Sequence, residues 1–391
     1  MKIKISSIYY VFLFIWSLSG TISMAAINTN ASAIAVISSF AWNAIRCYII
    51  VKILFEIKNY KRKDIIVLLI IALIGYFSSR YSESSFLIAG FWFIAGAKGI
   101  DWNKAIKYLL RAQIFSMLLI FCGCFLGYFP DTAKTGVSSG ITTSGIGHSF
   151  GYYHPNDLAG SILQIIMMSL YTMKRPLRLQ VSFTFLTIAG ITLLITRSGT
   201  SSLLIAFIAL MIAFFSLEKG RRTIGRFISR NLASLMKYII LVLAICSVLF
   251  SARQDLGESL LGDFHSRITQ MAAYFAYYKI TPWGQPLINH ASIDYDWRTN
   301  LYTLDNAYIH LLLGFGYIVF LLFIAIYIML IWRAYKSKQY VLLLILCTYT
   351  ILGFTETMFI RVQYNFTILL FSQIIWKREP STERLNEVRK T

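Results

Sequence analysis

Of 391 residues, 57% are hydrophobic and only 14% charged, against about 25% charged in ordinary soluble domains. A soluble globule of this size has too little polar surface to enclose such an apolar interior, which excludes that class. The net charge of +20 does not point to nucleic acid either, because the basic residues fall in short clusters between apolar runs, which is the signature of membrane topology.

In chain order, apolar runs occur at about 7–27, 31–53, 64–79, 84–99, 107–129, 157–173, 181–196, 199–217, 238–252, 307–331, 340–356 and 362–376. They predict an all-α integral membrane protein of about twelve transmembrane helices, a single polytopic domain over residues 1–391. Met1-Lys2-Ile3-Lys4 and the first run resemble a secretory signal. A second run begins near Ala31 almost at once, however, so the first is read as an uncleaved span. Runs seven and eight meet at a tight turn. Cys47, Cys122, Cys124, Cys246 and Cys347 all lie in apolar segments and read as buried thiols, not as a metal or redox centre.

Lys and Arg fix the expected orientation. With both termini in the cytoplasm, all but eight of the 37 basic residues lie on the inner side; Arg80, Lys134, Arg197, Arg253, Arg267, Lys279, Arg298 and Arg361 remain outside. Two outer loops are long, at about 130–156 and 253–306, whereas every inner loop is short. All five histidines lie outside or within a turn of it. Function is expected on that face.

Several outer segments carry chemistry. Gly151-Tyr152-Tyr153-His154-Pro155-Asn156-Asp157 leads into the sixth run. It reads equally as a helix start capped by Asn or Asp and as a ligand-contacting loop with exposed tyrosines. Arg197 sits among Thr196, Ser198, Thr200 and Ser201 at a helix start. That suits an anion site, with a guanidinium reaching the headgroups as the alternative. In the second outer loop, Ser266-Arg267 precedes an amphipathic stretch from Met271 to Lys279 and a Trp283-Gly284 turn. Asp305 stands just before the tenth run as either its cap or a proton acceptor, and Asn306 and His310 share one face of its first turn. Glu356 and Arg361 bracket the last outer turn, with Asn365 beyond. Pairing between them competes with a functional role, since a carboxylate at the end of a span is costly unless paired or wetted. No metal-binding or nucleotide-binding motif is present, so a metal-independent, cofactor-free mechanism is expected.

Taken in order, these segments resemble bacterial O-antigen polymerases of the Wzy type, which are related to the O-antigen ligases. The resemblance rests on Gly151-Tyr152-Tyr153-His154-Pro155-Asn156, Arg197 in its Ser/Thr-rich turn, and Ser266-Arg267 with the Trp283-Gly284 turn. Asp305-Asn306-Ala307-Tyr308 with Gly314-Phe315-Gly316, and Glu356 with Asn365, complete it. Asp305 stands where the ligases carry His, and Val319 where they carry a second Gly, which disfavours the ligase role.

The resemblance implies a glycosyltransferase in the bacterial cytoplasmic membrane, polymerising undecaprenyl-diphosphate-linked repeat units into O-antigen, capsule or exopolysaccharide. Its partners would be those lipid-linked glycans, membrane lipids, a chain-length regulator and a flippase, with no nucleic acid. Arg197 and Arg267, with Arg361 third, would stabilise the diphosphate leaving group. Asp305 or His154 would deprotonate or orient the acceptor hydroxyl. Tyr152, Tyr153, Trp283 and Trp297 would stack on sugars, and Asn156, Asn306, His310 and Glu356 would complete the binding surface. A ligase-type transferase and a polysaccharide-lipid flippase or transporter are the alternatives.

Overall fold

The computed structural model describes residues 5–26, 32–82, 84, 86–132, 134–135, 146–173, 178–218, 231, 234–261, 265–288, 301 and 303–376. Trp297, Asp294 and Asp296 lie outside them.

Apolar composition over long runs satisfies backbone groups internally, and each of the twelve runs falls on helical structure. Helices α1 (Ile5–Ala26), α2 (Ser32–Phe55) and α3 (Arg62–Ser82) are followed by the eight-residue α4 (Ile88–Ala95). Next come α5 (Trp102–Phe125), α6 (Pro155–Thr172), α7 (Leu179–Thr196), α8 (Gly199–Glu218) and α9 (Ile239–Ala252). Two helices of the second outer loop, α10 (Gln254–Leu260) and α11 (His265–Tyr277), precede α12 (Ala307–Gly314), α13 (Gly316–Lys336) and α14 (Tyr340–Thr355). Two 3-10 turns, Thr357–Phe359 and Phe366–Leu370, then lead to α15 (Phe371–Ile375).

Six of the described helices are long and apolar enough to cross a membrane, and a seventh qualifies if α9 and α10, bent by 119°, count as one span. Outward faces such as Val36, Ile37, Phe40 and Leu54 on α2, and Ile66, Leu69 and Leu73 on α3, are exposed apolar surface of the kind lipid covers. The protein is an all-α, multi-pass membrane protein. The other expected spans are short, less apolar or interrupted: α4 is too brief to cross, and the tenth run breaks at Phe315 into α12 and α13. Of the cysteines, Cys347 is buried, whereas Cys47 and Cys122 face outward from their helices, because a thiol tolerates a lipid-facing position as readily as a core one.

The main core joins α1, α5, α6, α8, α13 and α14 through residues including Leu13, Leu109, Met167, Ile208, Tyr327 and Leu344. A second, smaller core lies under the outer loop, where α11 turns Ile268, Met271 and Tyr274 against Phe250, Leu304, Ile309 and Leu313. The first outer loop contains a short antiparallel pair, β1 (Lys134–Thr135) with β2 (Ile146–Gly147), which the helical pattern does not anticipate. At the opposite end of the bundle, Lys52 pairs with Glu56 at 2.6 Å and Lys98 with Asp64 at 2.6 Å.

Candidate functional site

Arg267 is carried on α11, whose apolar side is held by the outer core. Its guanidinium therefore points across to the end of α14. There it donates to the carbonyl of Thr355 and, at 3.2 Å, to Glu356 Oε1. Asp305 Oδ2, from the segment entering α12, stands 3.6 Å from the same guanidinium. One arginine thus bridges two carboxylates from different parts of the chain. Glu356 is buried, whereas Asp305 keeps 38% of its side chain accessible.

These groups lie beyond the ends of the long apolar helices, and burial shapes their charge. Burial pushes Glu356 up, Arg267 resists this, and the nearby Asp305 carboxylate adds to it, leaving the carboxyl at about 7. Asp305 is also raised by burial, against the opposing fields of Arg267 and Arg361. Burial works against the Arg267 cation, but the two carboxylates outweigh it and hold the guanidinium above its usual value.

The neighbouring residues close the corner. Asn306, in extended backbone, caps α12 by accepting from Ile309 N at 2.9 Å. Its Nδ2 donates to Ser247 Oγ and to the Phe354 carbonyl, both at 3.0 Å. The cap is therefore Asn306, and Asp305 is released from capping to face Arg267. Asp157, in the first turn of α6, accepts from Tyr364 Oη at 2.9 Å, and its field contributes to the rise of Glu356. Asn365 caps the following 3-10 turn. Arg361 does not pair with Glu356. Its guanidinium lies 4.3 Å from the centroid of the Phe86 ring, and His310 stacks on the same ring at 5.3 Å.

The remaining sequence candidates fall elsewhere or in other roles. His154, not Asn156 or Asp157, is the N-cap of α6: its Nδ1 accepts from Asn156 N at 3.0 Å. A ring nitrogen that accepts this bond carries no proton, so in the neutral ring Nε2 is a donor, and the side chain has no lone pair left to act as a base. Tyr152 is 1% exposed, so its ring is core and not an open stacking platform. Tyr153 and Asn156 are half-buried. Trp283 stacks on Phe77 at 4.8 Å, which occupies one face of the indole.

Arg197 ends α7 in left-handed backbone (φ 55°), and its turn packs against β2, where His148 N donates to Ile195 O at 2.9 Å. Asp131 holds that segment in place. Its Oδ1 accepts from Ser149 N and Phe150 N, both at 2.9 Å, and its Oδ2 meets His148 Nδ1 at 2.7 Å.

Asp131, Asp157, Tyr364 and Phe86 were not legible as site residues. Asp157 and Tyr364 sit beside candidates that were, whereas Phe86 is an apolar residue inside an apolar run and carries no signal. Among the described residues no group of three His, Cys, Asp or Glu side chains could hold a metal ion. The site therefore offers cations, carboxylates and a half-open rim, a set suited to an anionic substrate that undergoes proton transfer. Comparison with protein-family models, curated proteins and solved structures gives no significant match.

Proposed function

We propose that the protein is a polysaccharide polymerase of the bacterial cytoplasmic membrane. It would lengthen undecaprenyl-diphosphate-linked glycans on the outer face of a twelve-span, N-in and C-in bundle. The growing chain on its lipid is the donor and a single lipid-linked repeat unit the acceptor. In the transfer, an acceptor hydroxyl oxygen bonds to the anomeric carbon, the bond from that carbon to the diphosphate oxygen breaks, and the hydroxyl proton passes to a carboxylate.

The observation that carries this reading is Arg267 set between Asp305 and Glu356, at a corner where the second outer loop, α6 and the α14 turn meet. Asp305 is the more accessible carboxylate and serves as the acceptor's base; Glu356 fixes Arg267. Burial of Glu356 and of most of Arg267 also encloses the corner, which favours transfer over hydrolysis, the competing reaction. The ion pairs Lys52–Glu56 and Lys98–Asp64 lie at the end of the bundle that this reading assigns to the cytoplasm.

The test is the glycan itself. Asp305→Asn, in a strain whose surface polysaccharide depends on this gene, should leave single repeat units in place of long chains while the protein stays at its normal level in the membrane. Long chains of unchanged length distribution would remove Asp305 from the mechanism. Unchanged chains in a full deletion would remove the polymerase reading altogether.

A further inference from the structure

Helix α2 is bound to the bundle on one side only. Ile45, Ile49 and Lys52 face inward, and only 11% of its apolar stretch is buried. Its outward side carries Val36, Phe40, Asn43, Cys47, Ile50 and Leu54, all exposed. These positions alternate steps of four and three residues along the helix, the spacing by which two helices pack along a shared seam.

Five of the six are side chains that lipid covers readily. Asn43 is not, and it stands at the midpoint of the 24 residues of α2, deep in the span. Among the described residues its carboxamide makes no hydrogen bond. Thr184 and Thr187, exposed on α7, show how a hydroxyl is satisfied in such a place: each donates to the carbonyl four residues back, at 3.0 and 3.1 Å. A carboxamide has two N–H donors and an acceptor to satisfy, and hydrocarbon supplies a partner for none of them. Helix α3 is as little buried as α2, but its outward Ile66, Leu69, Ile70 and Leu73 are all apolar and need only lipid. The polar centre of the stripe sets α2 apart.

We propose that the outward face of α2 docks a second copy of this chain, with the two α2 helices parallel and the two Asn43 side chains paired. A carboxamide is self-complementary, since each can donate an N–H to the oxygen of the other. Two copies inserted in the same orientation are related by a twofold axis along the membrane normal, which brings a residue near that axis to its own counterpart. Hydrogen bonds and close packing, rather than the hydrophobic effect, join helices within lipid, so the amide pair selects this face. Arg46 does not oppose the pairing: its guanidinium lies 4.8 Å from the ring of Trp42, which is not on the stripe. The inference stands on α2 alone and does not require the polymerase reading.

Cys47, one turn from Asn43 on the same stripe, makes the contact measurable. In the full-length protein with Cys122, Cys124, Cys246 and Cys347 replaced by alanine, copper phenanthroline would be applied to native membranes. Cys47 should join its counterpart and double the apparent mass, because facing seam positions lie within disulfide reach. A protein whose sole cysteine is Cys122, outward-facing on α5, should stay single. Energy transfer between copies fused to two fluorescent proteins, over a series of protein-to-lipid ratios, reads the affinity with all five cysteines in place. Asn43→Leu should weaken dimerisation roughly threefold to thirtyfold, and Asn43→Gln, which keeps the carboxamide, should stay within about threefold of the parent. Melting points matching the parent's would show that these variants fold. Absence of the Cys47 dimer in folded protein, equal joining through Cys122, or an Asn43→Leu protein that dimerises as the parent does would each overturn the proposal. A Cys47 adduct of some other mass would put a different protein on this face and overturn the second copy.

Discussion

Arg267 on α11 and Glu356 at the end of α14, 89 residues apart in sequence, meet at 3.2 Å inside the outer corner of the bundle. A buried carboxylate stripped of its cation is costly, so Arg267→Ala should destabilise the protein by about 3–5 kcal/mol. Arg267→Met combined with Glu356→Met should recover much of that loss, because the pair is then removed together, while chain elongation stays absent. Unfolding in detergent reads the first effect and glycan length the second. A double variant no more stable than Arg267→Ala would show that the contact is not what Arg267 contributes.

The Glu356 carboxyl, raised to about 7, links the corner to pH. A carboxyl whose folded pKa lies above its unfolded value binds protons more tightly in the folded state. Its stabilising contribution is complete below the usual value of 4.5 and is lost as pH rises toward about 7. Glu356→Gln should therefore flatten the fall in thermal stability between those limits. A pH–stability curve with the parent's slope in the variant would rule this out.

Asp131 has the opposite sign. Burial pushes this carboxyl up, but bonds from His148, Phe150 and Ser149 overcome that and hold it below its usual value of 3.8. The stability it adds is present above 3.8 and is lost as pH falls further through its folded value. Asp131→Ala should loosen the segment at 146–150 from the α7–α8 turn, raising amide exchange at His148 and Arg197 several-fold at neutral pH. Exchange unchanged at both amides would mean that the clasp does not anchor the loop.

Gly284 and Gly316 both have positive φ, 86° and 85°, and lie backbone to backbone. A Cβ on Gly284 would run into the carbonyl of Gly314, and one on Gly316 into Gly284 N and the Pro282 carbonyl. Neither obstacle is a side chain that can swing aside. Alanine at either site should sharply reduce the amount of folded protein, read by size-exclusion profile in detergent. A monodisperse Gly284→Ala protein with the parent's melting point would contradict this.

The membrane orientation has its own measurement. A periplasm-dependent reporter fused after Asp294 should be active, and one fused after Lys219 should be silent. The reverse pattern would invert the assignment of faces on which the mechanism depends.

Apolar runs were readable because lipid, acting as solvent, imposes composition over whole helices, and so the helical class followed from the sequence alone. The interruptions were less readable. The break at Phe315 and the brevity of α4 depend on how neighbouring segments supply backbone partners, which no single run encodes. At the site, sequence placed Asp305, Asn306, Arg267 and Glu356 as candidates and offered Glu356 its near neighbour Arg361 as one of two alternatives, a partner or none. Tertiary packing brought Arg267 instead, and it settled which of Asp305 and Asn306 is the cap through the side-chain bond of Asn306 to Ile309 N. His154 was misread for a related reason: an imidazole nitrogen can accept a capping bond as an Asn oxygen does, and composition does not distinguish the two uses.

The stitching of the second outer loop onto the α12–α13 break bears on how substrate gets in. Thr281 and Pro282 lend their carbonyls to the first amides of α13, those of Tyr317 and Ile318, and Gly314 returns a carbonyl to Gln285 N. Lifting residues 281–285 would break two bonds at the start of α13 and one at the end of α12. This stretch is a brace across the α12–α13 break, so any movement of the loop that the proposed transfer requires must originate in its other parts.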